Sequence, residues 1–346
     1  MLNNKNNFWK MLSLFTTLVF LLCGFLLGQS AMAQDRTDKL IAGAKNEGKL
    51  VWYASLNLQD CTAVLRQFEK KYPFIKTALF RLNAERLLEK IFAEDRAKFY
   101  KVDAIMNGGF RQQVTKEAGL LTKYFSPERK AFPEGFKDPE GYWTDTFVNA
   151  NVLAYNTRMV APGDIPKSHE DLLDPKWKGK IAMSLKSYEW FMQMLNIMGE
   201  EKGLDFMKKL SKQKPAFRSS ATTLRDMVIA GEYHMTINTY LGRVQIFKEM
   251  GAPIEWVPLN PVIGILHPIG VATHAPHPNA AKLFIDFVLS KEGMELISSF
   301  RRIVTRSDVD TDPPNLTKGI KIYPSDPRRA KDYNKYMKMF QNIFLK

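Results

Sequence analysis

Polar residues that could bind an anion follow several short apolar runs of this sequence. Arg81 and Arg243 would supply positive charge, and Ser55 and the backbone amides of residues 107–109 would supply hydrogen-bond donors. Helices that begin after such loops would favour negative charge at the same place. Because Arg243 lies three residues after Tyr240, the two side chains would share one face of a helix that begins there. If the ligand is an organic anion, we expect these residues to bind it.

The common catalytic motifs are absent from the 346 residues. There is no Gly-x-Ser-x-Gly elbow, no His-Glu-x-x-His pair, no phosphate-binding Walker loop and no Cys-x-x-Cys. His274 and His277 flank an Ala-Pro dipeptide in a predicted loop, which is a poor arrangement for zinc. We therefore expect a binding protein, without a catalytic cofactor, rather than an enzyme. An exported hydrolase is the alternative from another class.

Apolar runs and amphipathic patterns alternate along the first part of the chain. Strands are predicted over 50–54, 75–80 and 102–106, with helices over 60–72 and from residue 84. Such alternation is typical of an α/β fold, in which helices cover a largely parallel sheet. The predicted fold class is therefore α/β.

Two stretches would carry the chain from one domain to another. A Pro-, Gly- and aromatic-rich segment over 126–143 precedes an extended segment over 147–155, and a second apolar segment covers 262–273. Between them the pattern predicts further strands and helices, including a helix capped by Thr222 and ended by Gly231. After them it predicts a helix capped by Asn279 and a last amphipathic helix from Tyr333.

The composition is that of a folded globular chain, with 45% hydrophobic and 25% charged residues and a formal charge of +14. The Lys and Arg residues are dispersed rather than gathered in a run, which is typical of a solvated surface. This dispersal, together with the export that the N-terminal segment described next predicts, argues against a nucleic-acid partner.

The first 33 residues resemble a secretory signal peptide. Lys5 and Lys10 precede an apolar run over 11–28, and Ala31-Met32-Ala33 provides a small-x-small cleavage site. We expect cleavage after Ala33 and a periplasmic protein; an uncleaved membrane anchor is the alternative. Only Cys61 would remain, and we expect it to fill a buried apolar position.

Four segments resemble the bacterial extracellular solute-binding proteins of ABC importers, within the type 2 periplasmic binding protein superfamily. They are DLLDPKWKGK at 171–180, HPNAAKLFIDFVLSKEG at 277–293, EGKLVWYAS at 47–55 and NVLAYN at 151–156. The resemblance is closest to the branch that includes ferric-iron-binding proteins. It implies a monomer that delivers a small ligand to a permease in the inner membrane.

The resemblance also implies two α/β lobes, each a mixed but mostly parallel sheet flanked by helices, joined by crossover strands and closing on a ligand. We assign 34–145 plus 262–346 to lobe 1 and 146–261 to lobe 2. Since ligands of open α/β sheets bind beyond the carboxyl ends of strands, the predicted ligand-binding residues are Ser55, Arg81, Asn107, Gly108, Ser187, Tyr188, Glu189, Asn238, Tyr240 and Arg243.

Ferric iron is the ligand that the resemblance favours, because a hard ion prefers phenolate and carboxylate oxygens. Ferric-binding relatives carry two adjacent tyrosines after a strand of the second lobe, and the segment ending in Tyr240-Leu241 is similar with one tyrosine replaced. The turn before Tyr188 is similar to another tyrosine-bearing turn in some relatives. Tyr188, Tyr240 and Glu189 are therefore the predicted Fe(III) ligands, with room for a synergistic anion. A phosphonate, a phosphate ester or a carboxylate is the alternative ligand, and docking to a receptor is the alternative to import.

Overall fold

A computed structural model describes residues 35–346. The predicted signal peptide and its cleavage site lie outside the described residues. Within 35–346, no helix is both long and apolar enough to cross a lipid bilayer.

Within residues 35–346, twelve strands form one sheet. They are β1 (Lys49–Ala54), β2 (Lys76–Arg81), β3 (Ala104–Met106), β4 (Leu121–Thr122), β5 (Thr144–Asn156), β6 (Ile181–Ser184), β7 (Ala216–Arg218), β8 (Met235–Tyr240), β9 (Ile254–Val257), β10 (Val262–Ala272), β11 (Ile303–Val304) and β12 (Ile322–Pro324).

Helices connect and cover these strands. They are α1 (35–47), α2 (Leu58–Lys71), α3 (Ala84–Arg96), α4 (Gly109–Glu117), α5 (Tyr188–Met198), α6 (Glu200–Ser211), α7 (Ala221–Ala230), α8 (Leu241–Glu249), α9 (Pro278–Leu289), α10 (Lys291–Ser299) and α11 (Tyr333–Phe344). Short 3-10 helices occur in the connections, including Pro327–Asp332 before α11.

The sheet has two parts that share β5, in the order β2-β1-β3-β10-β5-β8-β6-β7. In the first part β1 is parallel to β2 and β3, and β10 is antiparallel to β3 and β5. In the second part β6 is parallel to β7 and β8, and β5 is antiparallel to β8 and β9. The first part belongs to lobe 1 and the second to lobe 2. The predicted two-lobed α/β fold is confirmed.

Each lobe has its own apolar core. In lobe 1, Phe284 of α9 packs edge-to-face against Trp52 and Phe68, with ring centroids 5.1 and 5.0 Å apart. In lobe 2, Phe191 and Phe340 are both fully buried, with centroids 5.7 Å apart. β1 is buried at five of its six positions, which explains why it is apolar throughout rather than alternating.

Two predicted helix caps are wrong. In both cases another residue accepts hydrogen bonds from the free amides at the start of the helix. Ser220, not Thr222, caps α7, because its Oγ accepts from the amide of Thr222 at 3.2 Å. Asn279 lies inside α9, whose first amides donate to the distant carboxylate of Glu47, at 3.1 Å from Asn279 and 2.8 Å from Ala280.

The C-terminal segment contacts both lobes. β12 pairs with β10, the 3-10 helix at Pro327–Asp332 packs against α4, and α11 packs against α5 and α6. The sequence-based division assigned all of 262–346 to lobe 1, whereas α11 lies on the core of lobe 2. The exact lobe boundaries remain a prediction.

Candidate binding cleft

A cavity of about 260 Å³ lies between the two lobes, at the ends of several strands. Lobe 1 contributes residues from the starts of α3 and α4, and lobe 2 contributes residues that follow β6 and β8. β5 and β10, which connect the lobes, contribute Asn149, Asn151, Ile265 and His267. The cavity therefore lies where a hinge motion would open or close it.

Four helices begin at the wall of this cavity. Ala84 is the first residue of α3, Gly108 is the N-cap of α4, Ser187 is the N-cap of α5 and Ala221 is the first residue of α7. A Cβ atom at Gly108 would meet no atom within 4 Å, so the backbone there faces open space. Converging helix N-termini give the cavity a positive potential that suits an anion.

Two polar side chains of the wall have no partner within the protein. Asn238 is 6% exposed, and neither its amide nitrogen nor its amide oxygen makes a hydrogen bond. Its φ of +65° lies in the left-handed region, which is uncommon for a residue other than glycine. Residues with such backbone conformations are often found at functional sites. The Oγ of Ser187 is also buried without a partner. Both groups are available to a bound molecule.

Arg111 brings a positive charge to the wall from α4. Its Nη2 donates to Glu85 Oε1 at 2.8 Å, and its guanidinium carbon lies 5.5 Å from the centroid of the Tyr333 ring. Burial lowers the pKa of Arg111, but the negative charge of Glu189 and the neighbouring Tyr333 and Glu85 outweigh burial and raise it. Arg111 is therefore a permanent cation of the site.

Glu189 and Tyr240 face Arg111 from lobe 2. Burial raises the pKa of Glu189, although Ser325 and Arg111 oppose that rise, and Oε1 of Glu189 is buried without a hydrogen bond. Burial, followed by the charge of Glu189, raises the pKa of Tyr240. Tyr240 is thus a neutral phenol that can donate one hydrogen bond.

His267 lies at the base of the cavity on β10. Its ring stacks on Phe147 with centroids 4.4 Å apart, and its backbone amide donates to Asp145 Oδ1 at 2.6 Å. Burial and the nearby charge of Arg302 lower the pKa of His267 to about 3. The imidazole is therefore neutral at physiological pH.

The structure brings half of the predicted ligand-binding residues together. Gly108, Ser187, Glu189, Asn238 and Tyr240 all line the cavity. Their positions agree with the rule that ligands of α/β sheets bind after the carboxyl ends of strands.

The other predicted residues lie outside the lining. Asn107 is fully buried and donates to the carbonyl of Ala84 at 3.1 Å, which ties the starts of α3 and α4 together. The side chain of Arg81 donates from Nε to the carbonyl of Leu56 at 3.0 Å. Ser55 follows β1, and its amide donates to the carbonyl of Met106.

Tyr188 and Arg243 adjoin the site without lining it. The Tyr188 ring packs against Phe340 and Tyr333, with centroids 5.2 and 5.9 Å apart. Arg243 lines a small neighbouring pocket of about 10 Å³ that also touches Tyr240. Neither residue contributes to the main cavity in this conformation.

Several residues of the wall were missed by the sequence analysis. Arg111 follows Gly108 by three residues and could have been found by extending the predicted loop into its helix. Tyr333 begins α11, far along the chain, and nothing in the sequence places it there. The remaining missed residues are Ala84, Glu85, Asn149, Asn151, Ser184, Lys186, Ser219, Ala221, Ile265 and His267.

Within the described range, no group of three or more His, Cys, Asp and Glu side chains could hold a metal ion. Of the three predicted Fe(III) ligands, Tyr240 and Glu189 line the cavity and Tyr188 does not. The wall also carries amide, hydroxyl and cationic side chains, including Asn238, Ser187 and Arg111.

The fold and the cleft define a solute-binding protein, and the comparisons with known proteins agree. Residues 99–321 match the family described as bacterial extracellular solute-binding protein. The chain belongs to this family, whose members are binding proteins that deliver small ligands to ABC permeases. Its homologues are periplasmic.

Individual relatives differ in what their names describe. An uncharacterized protein of Haemophilus influenzae is 26% identical, over 86% of this chain and 88% of the relative. Iron uptake protein A1 of a Synechocystis strain is also 26% identical, over 65% of this chain and 66% of the relative. The solved periplasmic binding protein AfuA of Actinobacillus pleuropneumoniae, with fructose-6-phosphate bound, is 27% identical with a TM-score of 0.71, over 86% of this chain and 99% of that structure.

Proposed function

We propose that this solute-binding protein captures an organic phosphate or phosphonate in the interlobe cavity and delivers it to a membrane permease. The observation that carries the proposal is the convergence of four helix N-termini on a cavity that holds the unpartnered Asn238. Phosphoryl oxygens accept hydrogen bonds from backbone and side-chain amides, and their charge suits the helix ends and Arg111. The likeness to AfuA with a bound sugar phosphate supports this ligand class.

Ferric iron with a bound anion is the second candidate. Tyr240 and Glu189 share the cavity wall and would supply hard oxygen ligands. Iron uptake protein A1 supports this candidate at 26% identity. Against it, the ring of Tyr188 is packed against Phe340 and does not line the cavity.

The proposal also covers export of the protein, its location and its docking to the permease. Residues 1–33 act as a signal peptide that is cleaved after Ala33, and the mature chain works as a monomer in the periplasm. The lobes close over the ligand by a hinge motion of the connecting strands, and the closed form docks onto the permease. No catalytic cofactor is part of this function.

Asn238→Gly tests the phosphate site, because it removes the side-chain amide. The backbone conformation can stay the same, since glycine also adopts a left-handed φ. We expect calorimetric titration with fructose 6-phosphate to show saturable binding to the native protein. The variant should bind about tenfold or more weakly, because hydrogen bonds to a charged group are lost. Asn315→Gly is the matched control, since Asn315 has a φ of +61° but is exposed and outside the cavity.

The same protein is titrated with ferric citrate while visible absorption is recorded. Saturable phosphate binding that Asn238→Gly weakens and Asn315→Gly does not would support the proposal. A one-to-one phenolate-to-iron band, together with failure of every phosphate or phosphonate to bind, would replace it with the iron candidate.

A further inference from the structure

Glu189 is an acceptor of the cavity wall that the protein leaves unsatisfied. It lies in the first turn of α5, and its Oε1 is buried without a hydrogen bond. Its neighbours are Arg111, Tyr240, Tyr333 and Ser325. A buried carboxylate oxygen without a donor is costly, so such an atom in a binding cavity points to a donor on the ligand.

Arg111, the charged donor beside Glu189, is directed elsewhere. Arg111 donates to Glu85 at 2.8 Å and lies beside the ring of Tyr333. It acts on Glu189 through charge, which opposes the rise in the pKa of Glu189 that burial causes. Ser325 also favours the ionised carboxylate, while Oε1 stays free of hydrogen bonds.

The dianion of a phosphoryl group cannot satisfy an ionised Glu189, because it has no donor and two negatively charged acceptors repel each other. The phosphoryl group has its own partners at Asn238, Ser187 and the helix N-termini. Glu189 must therefore face another part of the ligand, and that part must carry N–H or O–H groups. Its carbon skeleton would lie against the apolar surface that Trp190 and Ile265 contribute to the lining.

We infer that Glu189 is a specificity-determining residue, which selects organic phosphates or phosphonates bearing hydroxyl or ammonium donors over donor-free analogues. This inference rests on the proposed function, since it assumes a phosphoryl group elsewhere in the cavity. It assigns a second requirement to the ligand beyond its negative charge. Inorganic phosphate, which lacks a carbon skeleton, should bind more weakly than a ligand that reaches Glu189.

Two matched probe pairs test the inference by calorimetric titration. Glycerol 3-phosphate is compared with propyl phosphate for the hydroxyl donor, and 2-aminoethylphosphonate with propylphosphonate for the ammonium donor. We expect the donor-bearing member of at least one pair to bind about tenfold or more tightly to the native protein. The pair that shows the preference identifies the donor.

Glu189→Met removes the acceptor at similar length. In this variant the two members of a probe pair should differ in affinity by no more than about threefold. The change should come from weaker binding of the donor-bearing probe, while its analogue binds as before. Glu189→Gln keeps the shape of the side chain and serves if the methionine variant does not fold; it should lose most of an ammonium preference and part of a hydroxyl preference. Glu201→Met is the control, because Glu201 also lies in the first turn of a helix, α6, but is exposed and outside the cavity.

The two proposals fail in different ways. If both members of each pair bind the native protein equally, or if the preference persists in the folded Glu189 variants, the specificity role is wrong and phosphate binding stands. If no phosphate or phosphonate binds at all, both proposals are wrong.

Discussion

Asp145 is a fully buried acid at the junction of the two lobes. One carboxylate oxygen accepts from the amide of His267, but the other has no donor. Burial raises the pKa of Asp145 well above its ordinary value, against the opposing hydrogen bonds from His267, Thr305 and Thr146. The folded state therefore binds this proton more tightly than the unfolded state does.

We predict that the free energy of unfolding of the Asp145→Asn protein falls less with rising pH than that of the native protein. The native contribution of Asp145 is fully present below its unfolded pKa and is lost as pH rises to its raised folded pKa. Asparagine has no such titration, so at neutral pH the variant should gain about 1–3 kcal/mol in free energy of unfolding. Urea unfolding between acidic and neutral pH measures the difference between the two proteins.

The prediction concerns the difference in stability between the variant and the native protein. Glu189, Asp103 and Asp286 also have pKa values raised by burial, so both proteins should lose some stability as pH rises. Asp205→Asn is the control, since Asp205 is exposed and pairs with Lys209. An Asp145→Asn protein whose stability falls with pH as steeply as that of the native protein would contradict the prediction.

Single residues of the site differ in how far the sequence could identify them. Asn238 lies near the end of β8 and Ser187 follows β6, so the position of the strand was enough to find them. Tyr188 is adjacent to two lining residues, yet the rotation of α5 turns its ring towards Phe340. Sequence spacing could not decide that rotation, because it depends on the packing of α11, which comes far later in the chain.

The secondary structure elements follow from local pattern wherever that pattern is strong. β1 and α2 match their predicted positions closely, because their buried residues follow a clear pattern. α4 and α10 were not predicted. Each has only nine residues, and α4 buries the polar residues Gln112, Gln113 and Thr115, so its inner face is not apolar in the sequence.

α8 carries a glycine that its packing requires. Gly242 lies in its first turn, where a Cβ atom would overlap the backbone carbonyl of Arg301. Arg301 has a φ of +58°, so the loop between α10 and β11 has little freedom to retreat. Tyr240 of the cavity directly precedes this helix.

We predict that Gly242→Ala destabilises the protein by about 1–3 kcal/mol, because the start of α8 must move away from Arg301. The same movement displaces Tyr240 and should weaken binding of fructose 6-phosphate. Urea unfolding and calorimetric titration check the two effects. Gly163→Ala is the matched control, since a Cβ atom there meets no atom within 4 Å; equal stability of the two variants would contradict this account of α8.

At the scale of the whole molecule, the C-terminal segment links the two lobes next to the cavity. It pairs with β10, covers α4 of lobe 1 and ends as α11 on the core of lobe 2. Tyr333, at the start of α11, lines the cavity beside Arg111. The sequence indicates that α11 is amphipathic but not which lobe its apolar face covers, because either core offers an apolar surface.

Phe340 is the residue that holds α11 in place. It is fully buried, and its ring centroid lies 5.2 Å from that of Tyr188, 5.7 Å from Phe191 and 4.8 Å from Phe344. We predict that Phe340→Ala lowers the free energy of unfolding by about 3–5 kcal/mol, as expected for loss of a buried aromatic side chain. Ligand affinity should fall as well, because Tyr333 lies seven residues earlier on the same helix.

Urea unfolding and titration with fructose 6-phosphate measure these two effects. Phe99→Ala is the control, since Phe99 is 53% exposed and lies in the connection between α3 and β3. Loss of stability with unchanged affinity would show that α11 supports only the core of lobe 2. Loss of both would show that the wall of the cavity depends on a helix from the end of the chain, so that folding of the C-terminal segment completes the binding site.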